Sequence, residues 1–240
     1  MKLYIKSSQA IYAGYSCDGW FNILKTQWQR IPDPWWEKRK EGWQWCHPSN
    51  HPNYVKDGYD AVCTYTGDSA YLDVNNYLRG KPYRKDGWWF TTPRKVANRV
   101  HKVISRANLP IDMVTVRWAK PDNIDSYLGN GAADNIREGN GDQYIGKIVK
   151  EKGFYSSSMS PYPPQGVYRG REVQFITLLP KGTNAIYIDE NTSRYGKEDE
   201  ILVLDKTSFI IRDIQYSETG FDDFVGEQSE AKYRIFMEKI

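Results

Sequence analysis

The chain has 240 residues, with 33 lysines and arginines against 30 aspartates and glutamates, and 40% of its residues are apolar. This length can bury one substantial core, and the composition is that of a globular protein rather than of a disordered chain. No stretch approaches the run of about 20 apolar residues that spans a bilayer, and the N-terminus lacks the apolar core of a signal peptide. We therefore expect no membrane association. We expect a cytoplasmic protein in the producing cell, delivered or secreted without a conventional signal peptide if it leaves that cell.

The cysteines and histidines give no metal-binding pattern. Cys17, Cys46 and Cys63 are an odd number at irregular spacing, which argues against a disulfide framework. Cys17 and Cys46 could be combined with His47 and His51 into a zinc site, but their spacing matches none of the usual paired-ligand patterns. We expect no metal.

The first 50 residues differ in composition from the rest of the chain. They hold seven Lys/Arg against four Asp/Glu, which accounts for the whole net charge of +3, and six of the nine tryptophans. Prolines interrupt this segment, and the amino-acid composition changes after Pro52. We therefore predict a basic, Trp-rich extension at 1–52 and a main domain at 53–240. The extension either packs as a small aromatic subdomain, which we favour, or binds single-stranded nucleic acid by stacking and charge.

Helices are predicted first along the main domain. A weak helical pattern from residue 54 ends in a turn at 66–68. A second helix follows a Ser69 cap and ends at Gly80. Its predicted buried side consists of Tyr71, Val74 and Leu78. A third helix has the strongest signals, a Thr92 cap followed by Pro93 and by apolar residues at helical spacing.

Strands are predicted in the second half of the chain. Residues 119–142, which contain two Gly-Asn-Gly turn signals, are predicted to be a loop-rich segment between the first two strands. The predicted strands are 113–118, 155–159, 173–179, 185–188, one that begins near Glu198, 209–216 and 233–238. Helices followed by strands indicate an α+β fold, with N-terminal helices packed on a core of two mixed or antiparallel β-sheets.

Two glutamates stand at the start of one predicted strand. If that strand begins near Glu198, the side chains of Glu198 and Glu200 point to one face and that of Asp199 to the other. Two carboxylates on one face raise each other's pKa, so the arrangement is unfavourable unless a cation or a substrate uses it. An exposed acidic strand start on a solvated face is the alternative interpretation.

These residues, in their order along the chain, resemble a known enzyme family. Arg117, Ser156-Ser157-Ser158 and Glu198-Asp199-Glu200 resemble the motifs of the mono-ADP-ribosyltransferase exoenzymes of the Arg, Ser-Thr-Ser, Glu-x-Glu type, similar to the enzymatic components of clostridial binary toxins. The resemblance covers residues 54–240 and includes segments 65–68, 75–80 and 179–183. Ser157 stands where threonine is usual, and the first 50 residues match nothing in the family. The resemblance implies an ADP-ribosyltransferase-like fold around an NAD cleft, with NAD as co-substrate.

The resemblance also implies roles for the catalytic and acceptor-binding residues. Glu200 would stabilise the positive charge that grows on the nicotinamide ribose as the glycosidic bond breaks, and Ser156 would hydrogen-bond Glu200 and fix its direction. Glu198 would bind and help to deprotonate an acceptor guanidinium, and Tyr195 would recognise the acceptor.

The same resemblance implies the residues that hold NAD. Arg117 would contact the phosphates, because a guanidinium can form two parallel hydrogen bonds to a phosphate. In the loop that precedes the strand at 173–179, Tyr168 and Arg171 are the favoured candidates, with Arg169 as a fallback. The full set of further candidates for NAD contacts is Ser156, Ser157, Ser158, Tyr168, Arg171, Asn76 and Arg79.

Three functions remain in competition. The first is an arginine-specific mono-ADP-ribosyltransferase that acts on a target protein as a bacterial or phage toxin or effector, and that needs an antitoxin or immunity partner, or rapid export. The second is the same chemistry on RNA or DNA, contacted by residues 1–50. The third is a catalytically silent NAD-binding scaffold. A serine hydrolase is disfavoured because the sequence contains no Gly-x-Ser-x-Gly motif.

Overall fold

The computed structural model covers most of the predicted main domain. The residues that it describes are 61–62, 64–66, 70–85, 91–109, 112–159, 170–188, 200–221 and 231–240. The predicted extension at 1–52 and the predictions for Cys63, Tyr168, Tyr195 and Glu198 fall outside these residues. Within the described ranges, no helix has the length and apolar character needed to cross a bilayer.

The helices lie mainly before the strands, as predicted. The described α-helices are α1 (Ala70–Arg79), α2 (Pro93–Ile104), α3 (Pro121–Leu128) and α4 (Ala132–Arg137), and Gly141–Tyr144 forms a 3-10 helix. Residues 61–62 and 64–66 are also helical. The predicted start of α2 is confirmed, because the Thr92 hydroxyl accepts a hydrogen bond from the Lys95 amide at 3.2 Å and Pro93 is the first helical residue.

The prediction of a loop-rich segment at 119–142 is wrong. This segment folds into α3, α4 and the 3-10 helix. Pro121 opens α3, where its fixed φ suits the first helical turn. Gly129 and Gly131, with φ of +109° and +80°, connect the two helices in a conformation that a side chain would strain. The Gly-Asn-Gly signal therefore marks a turn between helices rather than a long loop.

The strands form one mixed sheet. They are β1 (Met113–Ala119), β2 (Ile148–Glu151), β3 (Tyr155–Ser158), β4 (Val173–Leu179), β5 (Ala185–Ile188), β6 (Glu200–Val203), β7 (Thr207–Tyr216) and β8 (Tyr233–Lys239). Their order across the sheet is β2-β7-β8-β4-β1-β3-β6-β5. The pairing of β4 with β8 is parallel, and the other pairings are antiparallel.

The α+β class is confirmed, but the described strands form one mixed sheet rather than the two sheets that were predicted. The recorded register between β1 and β3 is the single pair Val116 and Ser158. The five strands from β2 to β1 and the three from β3 to β5 therefore meet as one continuous sheet at a narrow junction. The remaining difference is β2, a short strand that the sequence did not predict.

Two hydrophobic cores pack on the sheet. The first lies under α3 and α4 and includes Phe175, Phe209 and Ile235. The second lies under α1 and α2. Strand β6 contributes to both, since Ile201 and Val203 belong to the first core and Leu202 to the second. This alternation buries β6 on both faces and places Glu200 on the same face as Leu202.

Helix α1 buries Val74 and packs Leu78 against the second core, as predicted, but the prediction for Tyr71 is wrong. Tyr71, predicted to be buried, is 40% exposed, and Leu72 is 49% exposed, whereas Val74 is fully buried. Asp73 and Asn75 are also buried. Polar partners explain the rotation of the helix, because Asp73 accepts a hydrogen bond from the Arg84 amide at 3.0 Å and Asn75 is bonded on both sides, as described below.

The orientation of α1 gives a stability prediction. We expect Val74→Ala to lower the free energy of unfolding by at least about 1.5 kcal/mol, because it removes buried methyl groups and leaves a cavity. Leu72→Ala removes more atoms, but from an exposed position, and we expect a change within about 0.5 kcal/mol. Urea denaturation followed by circular dichroism measures both. A larger loss for Leu72→Ala would contradict the observed orientation.

Candidate active site

Ser156 and Glu200 form a bonded pair on neighbouring strands. The Ser156 Oγ donates a hydrogen bond to Glu200 Oε1 at 2.5 Å. The register of β3 with β6 pairs Ser158 with Glu200, so Ser156, Ser158 and Glu200 share one face and Ser157 lies on the other. Glu200 is 9% exposed. The hydrogen bond that the resemblance implied is present, and it fixes the direction of a nearly buried carboxylate.

Arg117 lies near the end of β1, beside the Tyr155 ring and the Glu151 carboxylate. Its guanidinium carbon is 5.3 Å from the centre of the Tyr155 ring, and its Nη1 is 3.8 Å from Glu151 Oε2. Nη1 is buried and has no hydrogen-bond partner within the described residues. Burial alone would lower the pKa of Arg117, but the electrostatic influence of Tyr127 and Glu151 outweighs it and the pKa is raised. Arg117 therefore stays charged.

Glu151, which was not among the predicted site residues, is the centre of the hydrogen-bond network. Its Oε1 accepts from Arg79 Nε at 2.9 Å and from the Gly153 amide at 2.8 Å. Its Oε2 accepts from Arg79 Nη2 at 2.9 Å and from the Tyr127 hydroxyl at 2.6 Å. One carboxylate thus joins α1, α3 and the segment between β2 and β3.

The protonation of Glu151 follows from these contacts. Burial acts to raise its pKa, but the hydrogen bond and charge of Arg79, together with the charge of Arg117, lower it by more, and the net pKa lies below the ordinary value. The carboxylate is therefore ionised at neutral pH. Glu151 occupies an inward-facing position of β2, since Val149 and Glu151 are buried while Ile148 and Lys150 are exposed. An acidic residue at an inward-facing strand position is the feature of the sequence that could have indicated it.

Asn75 docks α1 against the start of β3. Its Nδ2 donates to the Tyr65 hydroxyl at 2.9 Å, and its Oδ1 accepts from the Phe154 amide at 2.9 Å. A Cβ on Gly153 would lie 2.6 Å from Asn75 Oδ1, which is too close. Glycine at 153 therefore permits the close approach of the helix to this segment.

The Tyr65 hydroxyl links the two parts of the site. Burial raises the pKa of Tyr65, and the charge of Glu200 raises it further, while the Asn75 hydrogen bond and the charges of Arg117 and Arg79 lower it by less. One hydroxyl therefore lies within electrostatic range of Glu200, Arg117 and Arg79. Arg117 itself lies on the other face of the strands from Ser156 and Glu200, because Val116 pairs with Ser158 and side chains alternate along a strand.

The remaining candidates differ in what they contact. Arg171 Nη1 donates to the Trp118 carbonyl at 3.1 Å, which places this guanidinium beside β1 next to position 117. The Asn76 carbonyl accepts from the Lys81 amide at 2.8 Å, and no described residue hydrogen-bonds its side chain. The buried Ser157 Oγ likewise has no partner among the described residues. The NAD contacts assigned to these residues stay predictions.

Metal binding has no support in the described ranges. No group of three or more His, Cys, Asp or Glu side chains there could hold a metal ion. The cysteines considered from the sequence lie outside those ranges.

Two neighbouring asparagines test how α1 is docked. Asn75→Ala should lower the free energy of unfolding by about 1–3 kcal/mol, because the buried Phe154 amide loses its acceptor. Asn76→Ala, the same change one residue along, should alter stability by no more than about 0.5 kcal/mol. Thermal and urea denaturation compare the two variants. Equal losses would show that the bonds of Asn75 do not dock the helix.

Comparison with known proteins identifies the family. A family profile described as ADP-ribosyltransferase exoenzyme matches residues 37–238, and so begins inside the predicted extension. A comparison with curated protein sequences found no match.

Solved structures share the fold. The C3 exoenzyme of Clostridium limosum is 18% identical, with 87% of this chain and 94% of that chain covered and a TM-score of 0.59. Plx2a, an ADP-ribosyltransferase toxin from Paenibacillus larvae, is 18% identical, with coverages of 87% and 94% and a TM-score of 0.60. C3stau2 from S. aureus, solved with NAD, is 17% identical, with coverages of 87% and 93% and a TM-score of 0.61.

These likenesses, at such low identity, show the fold alone. The family match spans most of the chain, and it agrees with the ordered motifs and with the bonded Ser156 and Glu200. The family resemblance is confirmed, and the chain belongs to the ADP-ribosyltransferase exoenzyme family.

Proposed function

We propose that this protein is an NAD-dependent mono-ADP-ribosyltransferase that modifies arginine side chains of a target protein and acts as a toxin or effector. The observation that supports this most directly is the hydrogen bond from Ser156 to the nearly buried Glu200. A carboxylate held in one direction within electrostatic range of arginines suits a substrate that carries both a ribose and phosphates.

The arginines fit the phosphates of NAD. Arg117 is charged, and its buried Nη1 has no partner within the described residues, so a phosphate oxygen would satisfy it. Arg171 lies beside the neighbouring residue of β1 and is a second candidate. Both guanidiniums can contribute charge-assisted hydrogen bonds, which are stronger than neutral ones.

Glu200 supplies the electrostatic part of catalysis. As the bond between C1′ of the ribose and the nicotinamide nitrogen breaks, its electron pair leaves with nicotinamide and positive charge grows on the ribose. A fixed carboxylate stabilises that charge more in the transition state than in the ground state. Ser156 contributes by keeping one carboxylate oxygen in place, so that little reorganisation is needed during the reaction.

Arginine is the proposed acceptor because of Glu198. A guanidinium is a poor nucleophile while it is charged, so a carboxylate must accept a proton as the nitrogen bonds to C1′. Glu198 occupies the family position that serves this purpose, and Tyr195 occupies that of the aromatic residue that recognises the acceptor. A producing cell would then need an antitoxin or immunity partner, or rapid export, to escape modification.

Replacing Glu200 tests the chemistry. We expect Glu200→Gln to lower the rate of nicotinamide release from NAD by about 100-fold or more, because the charge opposite the ribose is lost. The dissociation constant for NAD should change little, and chromatography of released nicotinamide measures the rate. Glu172→Gln is the matched control, since Glu172 forms an exposed ion pair with Lys232 at 2.8 Å. Full activity in Glu200→Gln would refute the proposed role.

A labelling experiment tests the acceptor. Incubation with labelled NAD and cell lysate should label protein, and hydroxylamine should release the label from arginine. Glu198→Gln should keep nicotinamide release but lose the labelling, because only the acceptor step needs this carboxylate. Label that nuclease releases and protease does not would instead identify nucleic acid as the acceptor. Wild-type protein that releases no nicotinamide would favour the silent scaffold.

A further inference from the structure

We infer that Glu151 is a positioning residue that holds Arg117 and Arg79 in the geometry that receives the phosphates of NAD. The inference rests on the proposed function, because it takes these two arginines to be ligands of NAD. It assigns a role to a side chain that the motifs of the family, as read from the sequence, do not include.

The first support is the number of separate segments that one carboxylate connects. Arg79 comes from the end of α1, Tyr127 from α3 and the Gly153 amide from the segment before β3. Arg117 comes from β1, at 3.8 Å from Glu151 Oε2. Glu151 is 3% exposed, so water does not replace these contacts. The relative placement of the two guanidiniums therefore depends on this side chain.

The second support is the different way in which the two arginines are held. Arg79 directs both Nε and Nη2 at Glu151 with distances of 2.9 Å, which is a bidentate and well-fixed pair. Arg117 is attracted to the same carboxylate, but 3.8 Å is too long for a hydrogen bond. Its buried Nη1 therefore keeps its capacity to donate to a ligand. Arg79 is therefore fixed by its two hydrogen bonds to Glu151, whereas Arg117 can still donate a hydrogen bond to a ligand.

Two effects of removing the charge of Glu151 have opposite signs. Two guanidiniums and one carboxylate carry a net charge of +1, and neutralising Glu151 raises it to +2. On charge alone this change would strengthen the binding of a pyrophosphate. Loss of the anchor would instead let the two guanidiniums repel each other and leave their positions, which would weaken binding. The sign of the change in NAD affinity therefore separates a positioning role from simple charge compensation.

The experiment compares NAD binding by wild-type protein and Glu151→Gln using isothermal titration calorimetry at fixed ionic strength. Glutamine has nearly the same shape but no charge. We expect the dissociation constant to rise about tenfold or more, since small displacements of binding groups cause losses of that size. Unchanged or tighter binding would overturn the inference.

A second variant decides the question if Glu151→Gln does not fold. Tyr127→Phe removes one hydrogen bond to Glu151 without changing any charge, and its ring can keep the edge contact with Phe175 at 5.4 Å between centroids. We expect a smaller rise in the dissociation constant. An unchanged value in Tyr127→Phe would overturn the inference.

Glu238→Gln is the matched control for loss of a carboxylate paired with an arginine. Glu238 accepts from Arg212 Nε at 2.7 Å and is 14% exposed, but it lies on β8, away from the cluster. We expect no change in NAD affinity. A loss as large as that of Glu151→Gln would show that the effect is not specific to the cluster, and would overturn the inference.

A double-mutant cycle shows whether Glu151 acts through Arg117. In an Arg117→Ala background, Glu151→Gln should weaken NAD binding less than it does alone, because one of the two groups that it positions is gone. If the fold-changes in the dissociation constant of the two single variants simply multiply in the double variant, the inference is overturned. Wild-type protein that binds no NAD would overturn the proposed function and this inference together, whereas normal wild-type binding with unaffected variants overturns the inference alone.

Discussion

The structure depends on the pairing of one buried acidic side chain. Glu151 is ionised and almost inaccessible to water, and an unpaired charge in that position would be strongly unfavourable. Its four donor groups come from α1, α3 and the segment before β3. The pairing that satisfies the charge therefore also sets where the two helices meet the sheet. Removing one partner would leave the other charge buried and uncompensated, so the pairing constrains the positions of both partners.

Strand pairing places Ser156 and Glu200 on one face of the sheet. Strand β6 is buried along its whole described length, from Glu200 to Val203. Ser156, on the next strand, donates a hydrogen bond to Glu200. The charges of Glu200, Arg117 and Arg79 all shift the pKa of the Tyr65 hydroxyl. Apolar packing thus fixes the strands, and the strands fix charged groups that local sequence alone could not bring together.

Parts of this arrangement were predictable because they depend on local signals. The Thr92 cap and Pro93 indicated the start of α2, and the apolar runs indicated most strands. Segment 119–142 was predicted wrongly, because its helices are short and their glycines resemble those of a loop. Tyr71 was placed on the wrong side of α1, because hydrogen bonds of Asp73 and Asn75, made to other parts of the chain, rotate the helix. Glu151 was missed for the same reason, since its partners are distant in sequence. The proximity of positions 117, 156 and 200 depends on the strand order, and was expected only through the family resemblance.

The two ends of the sheet have a consequence for behaviour in solution. Among the strands that the structure describes, the outermost, β2 and β5, are four residues long. An edge strand exposes backbone groups that can pair with another chain and start aggregation, and short edges limit that pairing. Ile148 on β2 is 65% exposed, but Lys150 on the same strand places a charge close to it. The longer strands β4 and β8, with seven residues each, lie in the interior of the sheet, where each edge already has a partner.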